Sequence, residues 1–172
     1  IRVNTLASFR PTASPHWAKG LRMARAIQSE VTDPEELLSY AQRVMCYEHR
    51  TPSTAESSLE RFKIIWKMFE VDMFNLGIDA RPSVAEDSNI LIVDGKELWL
   101  TNIFFWHLNT YLRISMQNIE ASSILEIGGG YGALARIFRQ LSPELAYDII
   151  DFPECNKFAE VYLKLAGVEG VT

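Results

Sequence analysis

Apolar residues recur at intervals of three and four through the first half of the chain, which is the spacing of amphipathic helices. One series follows Ser14, and a second follows Asp33. In both places a residue that caps helix N-termini precedes a proline, which is tolerated at the first helical position. Glu35 and Glu36 then add negative charge at the positive end of the second helix dipole. Two helices are predicted here.

A third helix is predicted from 54 to 76. Its start has a capping-box pattern, because Ser53 is followed three residues later by Glu56, and Gly77 is a natural stop. Its apolar residues are spaced alternately by three and four, which predicts one buried seam. The seam consists of Leu59, Phe62, Trp66, Phe69, Met73 and Leu76.

A small β element and one more helix complete the first part of the chain. Two apolar runs, 89–93 and 96–100, flank Asp94-Gly95, a pair typical of tight hairpin turns. A helix is predicted from Ile103 to about Asn118, and its aromatic residues cover more than one face, as in helices buried between layers. Residues 1–118 are therefore predicted to form a mainly helical domain with one hairpin near 89–100.

From residue 119 onward the pattern changes to short apolar runs that alternate with helical segments. The runs at 123–127 and 146–150 predict strands, and helices are predicted after Gly132 and from Pro153. A β-α-β-α order is typical of a parallel sheet. Residues 119–172 are therefore predicted to begin a doubly wound α/β fold.

Composition narrows the class of protein. The 172 residues are 48% hydrophobic and 23% charged, as in ordinary globular domains. A net charge of −5 argues against a nucleic-acid partner, and the absence of a run of about 18 apolar residues argues against a membrane span. No signal-peptide pattern opens the chain, so a cytoplasmic location is expected. Cys46 and Cys155 have no metal or redox spacing and are expected to be reduced thiols.

The residues that bear on chemistry follow the two predicted strands. Ligands of doubly wound sheets bind beyond the carboxyl ends of the strands, where Glu126 and Asp151 lie. Between them comes a glycine-rich loop, in which backbone can approach a ligand closely. Asp151 follows Gly128 by 23 residues, close to the roughly 20 that are typical of a ribose-binding acid. The alternative interpretation of Asp151 is an N-cap for the helix at Pro153.

The identity of the nucleotide depends on Glu126. Gly128-x-Gly130-x-x-Ala133 fits the dinucleotide-binding pattern, so the glycines alone do not decide. A carboxylate two residues before the loop is unfavourable beside a pyrophosphate but favourable beside a cation. S-adenosylmethionine carries an ammonium and a sulfonium, and we expect it to be the ligand.

Two segments carry a resemblance to a known family. Residues 124–132, ILEIGGGYG, and 147–154, YDIIDFPE, resemble class I S-adenosylmethionine-dependent methyltransferases, and specifically bacterial sugar O-methyltransferases with a long helical N-terminal part. Phe152 stands where those chains usually have leucine. The specific resemblance covers about residues 123–165.

The resemblance implies a Rossmann-like fold and a set of roles. Glu126 would orient the methionine end of the cofactor, Tyr131 would pack against that portion, Asp151 would hold the ribose hydroxyls and Phe152 would lie beside the adenine. The implied cofactor-binding residues are Glu126, Gly128, Gly129, Gly130, Tyr131, Gly132, Asp151 and Phe152. The implied reaction methylates a sugar hydroxyl of a saccharide or glycoconjugate and releases S-adenosylhomocysteine.

The family's sheet has seven strands, whereas this chain supplies two and the start of a third at Gly170-Val171. The sheet is therefore expected to be truncated at Thr172, and the acceptor loops and any catalytic base or metal to lie beyond it. No catalytic base and no metal ligand is assigned. The histidines are expected to be structural or on the surface, with His107 the least remote from catalysis; they are His16, His49 and His107.

Other functions stay open. The acceptor of a methyltransferase could instead be another small molecule, such as a polyketide or a phenol. An NAD-dependent oxidoreductase and a cofactor-binding subunit without activity are further alternatives. Besides the small-molecule or saccharide acceptor, a second copy of the chain is a possible partner, bound through the helical domain.

Overall fold

The computed structural model describes residues 15–45, 55–70, 73–78, 89–93, 95–117 and 119–171. Within them, helices precede a hairpin and a small parallel sheet, so the chain has a mixed α/β fold. None of the helices in the described part is long and apolar enough to cross a membrane.

The elements follow one another in a simple order. The first four helices are α1 (Pro15–Glu30), α2 (Pro34–Met45), α3 (Ala55–Phe69) and α4 (Met73–Leu76). The hairpin and the helix after it are β1 (Asn89–Val93), β2 (Lys96–Leu100) and α5 (Asn102–Ser115). The parallel unit consists of β3 (Ser123–Ile127), α6 (Ala133–Leu141), β4 (Ala146–Ile150) and α7 (Pro153–Leu165).

The predicted start of α2 is confirmed. Asp33 Oδ1 accepts a hydrogen bond of 2.8 Å from the backbone N–H of Glu36, and the Asp33 carbonyl accepts one from Leu37. The carboxylate thus satisfies a donor that the first helical turn leaves unpaired. The caps predicted at Ser14 and Ser53 lie outside the described residues.

The prediction of one helix from 54 to 76 is wrong. The third helix ends at Phe69, and Glu70 adopts a left-handed φ of 52° before the short helix α4 begins. The buried seam is also narrower than predicted: Phe62 and Ile65 are buried, whereas Leu59 is 36% exposed. Phe69 and Leu76 are partly buried, and the side chains of Trp66 and Met73 lie outside the described residues.

The predicted hairpin is confirmed at both strands. β1 and β2 pair antiparallel with Asn89 opposite Leu100 and Val93 opposite Lys96. Gly95 has a φ of +75°, the left-handed conformation that a two-residue turn requires. Asp94 lies outside the described residues.

Helix α5 is capped by Thr101, whose Oγ1 accepts a hydrogen bond of 3.1 Å from Phe104 N–H. It ends at Ser115, three residues before the predicted end. Phe104 and Phe105 are buried, as expected of a helix between layers, but Trp106 is 53% exposed. Its buried face packs against α3 on one side and α6 on the other.

Two hydrophobic clusters join the helical part to the parallel unit. One contains Leu37, Leu38 and Ala41 of α2 together with Phe158 of α7; the other contains Leu108 of α5 with residues of α3, β2 and α6. An ion pair adds to the first contact. Arg25 Nε of α1 donates to Glu154 Oε1 at the start of α7, and Gln28 Nε2 donates to the Glu154 carbonyl at 2.8 Å.

The sheet of the parallel unit is small. β3 pairs with β4 in parallel from Ser123↔Ala146 to Ile127↔Ile150, and Val171 forms a single parallel bridge with Tyr147. Two strands and the beginning of a third are thus present, with β4 between the others. Among the described residues β3 has β4 as its one neighbour. Leu125 and Ile127, whose side chains alternate with that of Glu126, are exposed on the opposite face of the sheet.

Candidate functional site

The carboxyl ends of β3 and β4 lie side by side. Ile127 and Ile150, the last residues of the two strands, are register partners, and Gly128 N–H donates to the Ile150 carbonyl at 2.8 Å. The glycine loop after β3 and Asp151 after β4 therefore leave the sheet at the same edge. This is the edge where ligands of open parallel sheets bind.

Three glycines of the loop adopt a conformation that other residues rarely tolerate. The φ angles of Gly128, Gly130 and Gly132 are 80°, 61° and 86°, all in the left-handed region. Gly132 N–H donates to the Gly129 carbonyl at 2.9 Å, which closes the loop directly before α6. The loop thus turns sharply, with Gly128 exposed at its start and Gly132 buried against α7 at its end.

Gly129 is needed for a different reason. A Cβ at this position would lie 2.7 Å from Ile149 Cγ2 and 3.0 Å from Glu126 Oε2. The absent side chain therefore leaves room for the Glu126 carboxylate to lie against the loop. The sequence identified Gly129 as part of the glycine run, but it did not indicate this contact.

The Asp151 carboxylate links the glycine loop to the end of β4 by hydrogen bonds. Its Oδ2 accepts a hydrogen bond of 2.8 Å from Gly130 N–H, and its Oδ1 accepts one of 2.7 Å from Phe152 N–H. The N-cap residue of α7 is Phe152, without a side-chain capping bond. The alternative interpretation of Asp151 as a helix cap is therefore wrong, because its carboxylate binds the glycine loop instead.

Glu126 is half-buried near Asp151 and the glycine loop, and its carboxylate accepts a hydrogen bond. The hydroxyl of Tyr147 donates to Glu126 Oε2 at 3.0 Å. Burial raises the pKa of Glu126, the hydrogen bond from Tyr147 lowers it, and the negative charge of Asp151 raises it again. Burial and the nearby Glu126 raise the pKa of Tyr147, so its phenol remains a proton donor.

Sequence reasoning missed Tyr147, although strand register contains a clue. Tyr147 and Ile149 lie on one face of β4, because strand side chains alternate. Ile149 is the register partner of Glu126, so Tyr147 is its diagonal neighbour on the same face. The clue requires the pairing register, which the order of elements alone does not fix.

The two aromatic candidates differ in exposure. The Tyr131 ring is buried and lies edge-on to Tyr162 at a centroid distance of 5.0 Å. Phe152 is half-buried at the start of α7. The structure therefore places Phe152 next to Asp151 at the strand ends and the Tyr131 ring in the hydrophobic core.

Cys155 lies close to the site on the first turn of α7. It is buried, and burial raises its pKa, as do the charge of Asp151 and a hydrogen bond between the thiol and that carboxylate. The thiol is thus protonated and a poor nucleophile at neutral pH. Cys46 lies outside the described residues.

Among the histidines, the structure describes the surroundings of His107. His107 is half-buried on α5 and stacks on Trp106 with a centroid distance of 6.1 Å. The side chain of His16 and all of His49 lie outside the described residues. In the described part of the chain, no group of three or more His, Cys, Asp or Glu residues is placed to hold a metal ion.

The site therefore presents two carboxylates on either side of a glycine loop whose first residue, Gly128, is exposed. Such an arrangement attracts cations and accepts hydrogen bonds from hydroxyl groups, and it repels phosphates. Comparison with protein-family models, with curated proteins and with solved structures found no match.

Proposed function

We propose that the protein is a class I S-adenosylmethionine-dependent methyltransferase, with a sugar hydroxyl of a saccharide or glycoconjugate as the methyl acceptor. One observation carries the proposal. Glu126 and Asp151 lie at the carboxyl ends of adjacent parallel strands, with a glycine loop of left-handed φ angles between them. The family resemblance of residues 123–165 supports the same assignment.

The residues present fit the two ends of this cofactor. Asp151 follows β4, and beyond its hydrogen bonds from Gly130, Phe152 and the Cys155 thiol its carboxylate keeps a lone pair to accept a ribose hydroxyl. Glu126 is the second-to-last residue of β3 and suits the ammonium of the methionine end. Phe152 offers an apolar ring for the adenine. The open space at Gly128 permits close approach of the part of the cofactor that joins these two ends.

Methyl transfer requires little of the protein beyond alignment of the two reactants. S-adenosylmethionine supplies a methyl group on a sulfonium, which is a good leaving group. Bound at this site, it would transfer that methyl group to the acceptor oxygen, with S-adenosylhomocysteine as the leaving group and the hydroxyl proton passing to a base or to water. Positioning of the two reactants lowers the barrier by several kcal/mol. The high pKa of a sugar hydroxyl calls for a general base, which is not assigned among these residues.

The choice of a sugar as acceptor rests on the resemblance. Incubation of the protein with S-adenosylmethionine and panels of saccharides, phenols and polyketides, followed by mass spectrometry of the products, tests it. A methylated saccharide is expected. A methylated phenol or polyketide would retain the reaction type and change the acceptor.

The cofactor assignment is tested by Asp151→Ala. Because S-adenosylmethionine and S-adenosylhomocysteine share one ribose, both should bind about 10- to 150-fold more weakly, the effect of losing a charge-assisted hydrogen bond. Isothermal titration calorimetry measures both affinities. The matched control is Asp148→Ala, which removes an acid from the same strand, three residues earlier.

Two results would overturn the assignment. Unchanged affinity in Asp151→Ala would remove Asp151 from the ligand site and leave it as a fastener of the glycine loop. Binding of NAD by the unaltered protein, without binding of S-adenosylhomocysteine, would make an NAD-dependent oxidoreductase the better assignment.

A further inference from the structure

A buried phenol lies directly behind one of the two carboxylates of the site. Tyr147 is 1% exposed, and its ring packs against Phe138 with a centroid distance of 5.6 Å. Its hydroxyl donates to Glu126 Oε2 at 3.0 Å. Because the ring is held by the core, the hydroxyl has a fixed position from which to orient the carboxylate.

We propose that Tyr147 is a positioning residue that holds the Glu126 carboxylate toward the cationic end of the bound ligand. The inference rests on the proposed function for the identity of that ligand. The inference goes beyond the proposed function by assigning a role to a core residue that does not itself reach the ligand. Tyr147 would act entirely through Glu126.

The surroundings of Glu126 explain why such a residue is needed. The carboxylate lies against Gly129, where a Cβ would come within 3.0 Å of Oε2. Asp151, from the loop after β4, adds a second negative charge nearby. The glycine loop contributes no charged side chain of its own. Against these, the Tyr147 hydroxyl donates a hydrogen bond to this carboxylate.

The balance of these contacts gives the site a pH dependence of known sign. Burial and Asp151 favour the neutral form of Glu126, so its pKa is raised, and Tyr147 opposes them by stabilising the charged form. A cationic ligand binds the charged form. Affinity should therefore fall as the pH decreases through the pKa of Glu126, and removal of the phenol should move that fall to higher pH.

The test compares Tyr147→Phe with Tyr111→Phe. Both substitutions remove one hydroxyl from a ring that contacts Phe138, but the Tyr111 hydroxyl is bonded to Ser142 Oγ at 3.2 Å. In Tyr147→Phe the pKa of Glu126, followed by NMR of carboxyl-labelled protein, should rise by about one unit or more. In Tyr111→Phe it should stay at the wild-type value.

Ligand binding gives the second readout. S-adenosylhomocysteine should bind Tyr147→Phe about 10-fold more weakly than wild type at acid pH, with a smaller difference at alkaline pH. 5′-Methylthioadenosine, which has the same nucleoside but no amino-acid end, should bind both proteins equally. In a Glu126→Gln background, the further change Tyr147→Phe should no longer shift the pH profile, since the coupled group is gone.

The outcomes separate this proposal from the function on which it rests. A Glu126 pKa and a pH profile that stay the same in Tyr147→Phe would overturn the positioning role while leaving the cofactor assignment intact. Equal weakening of both nucleoside ligands would also overturn it, because it would indicate a general loosening of the site. Failure of wild type to bind S-adenosylhomocysteine at any pH would instead overturn the proposed function, and this proposal with it.

Discussion

Neighbouring glycines in one loop serve different physical purposes. Gly128 has a φ of 80° and nothing within 4 Å of the place where a Cβ would lie. Gly129 lies outside the left-handed region, but its Cβ would overlap Ile149 and press on Glu126. The first position therefore requires glycine for its backbone conformation, and the second requires it for space.

This difference predicts opposite responses to asparagine. Gly128→Ala should lower the free energy of unfolding by about 1–2 kcal/mol, and Gly128→Asn by much less, because asparagine tolerates the left-handed region. Gly129→Ala should cost about 1–3 kcal/mol through overpacking, and Gly129→Asn at least as much. Urea denaturation of the four variants measures these differences. Recovery of stability by asparagine at position 129 would contradict the steric explanation.

At the scale of elements, the sequence predicted the helix starts and turns that neighbouring residues determine. Asp33 caps α2 as expected, and the turn at Gly95 joins the two predicted strands without a shift. The end of α3 was missed because neither glycine nor proline marks it. Glu70 has the left-handed φ there. This conformation is unfavourable for residues other than glycine, and the local sequence does not predict it.

The strain at Glu70 predicts a stabilising substitution. Glu70→Gly should raise the free energy of unfolding by up to about 1 kcal/mol, because glycine adopts the left-handed conformation after a helix without a steric penalty. The control is Arg61→Gly, at an exposed position inside α3, which should cost about 1 kcal/mol. Thermal and urea unfolding measure both. A loss of stability in Glu70→Gly would show that the side chain makes a contact worth more than the strain.

At the scale of the whole molecule, the pattern of residues predicted which segments are helices but not which helices meet. The amphipathic face of α2 indicates that Leu37 and Ala41 are buried, yet nothing local indicates that Phe158 of α7 covers them. The same holds for the site. Glu126 and Asp151 were identifiable because the ends of parallel strands meet, whereas Tyr147 and Cys155 depend on register and on the packing of α7.

The edge of the parallel sheet predicts self-association of the 172-residue chain. Ile127 is 79% exposed on β3, and unpaired strand edges with apolar side chains promote association. Light scattering coupled to size-exclusion chromatography should detect oligomers that Ile127→Lys reduces. Ile119→Lys, at a residue 64% exposed just before the strand, should leave them unchanged. A monomeric wild-type chain with a cooperative thermal transition would contradict this.

The anchor between α1 and α7 has a thermodynamic consequence. Arg25 and Gln28 hold Glu154, which lies three residues after Asp151, so undocking of α1 releases the segment that fastens the glycine loop. Docking of α1 and ligand affinity at the strand ends are then thermodynamically linked. A ligand that binds only when the loop is held in place binds more weakly whenever α1 is undocked. Docking of α1 on Glu154 would thus set part of the binding constant at the strand ends.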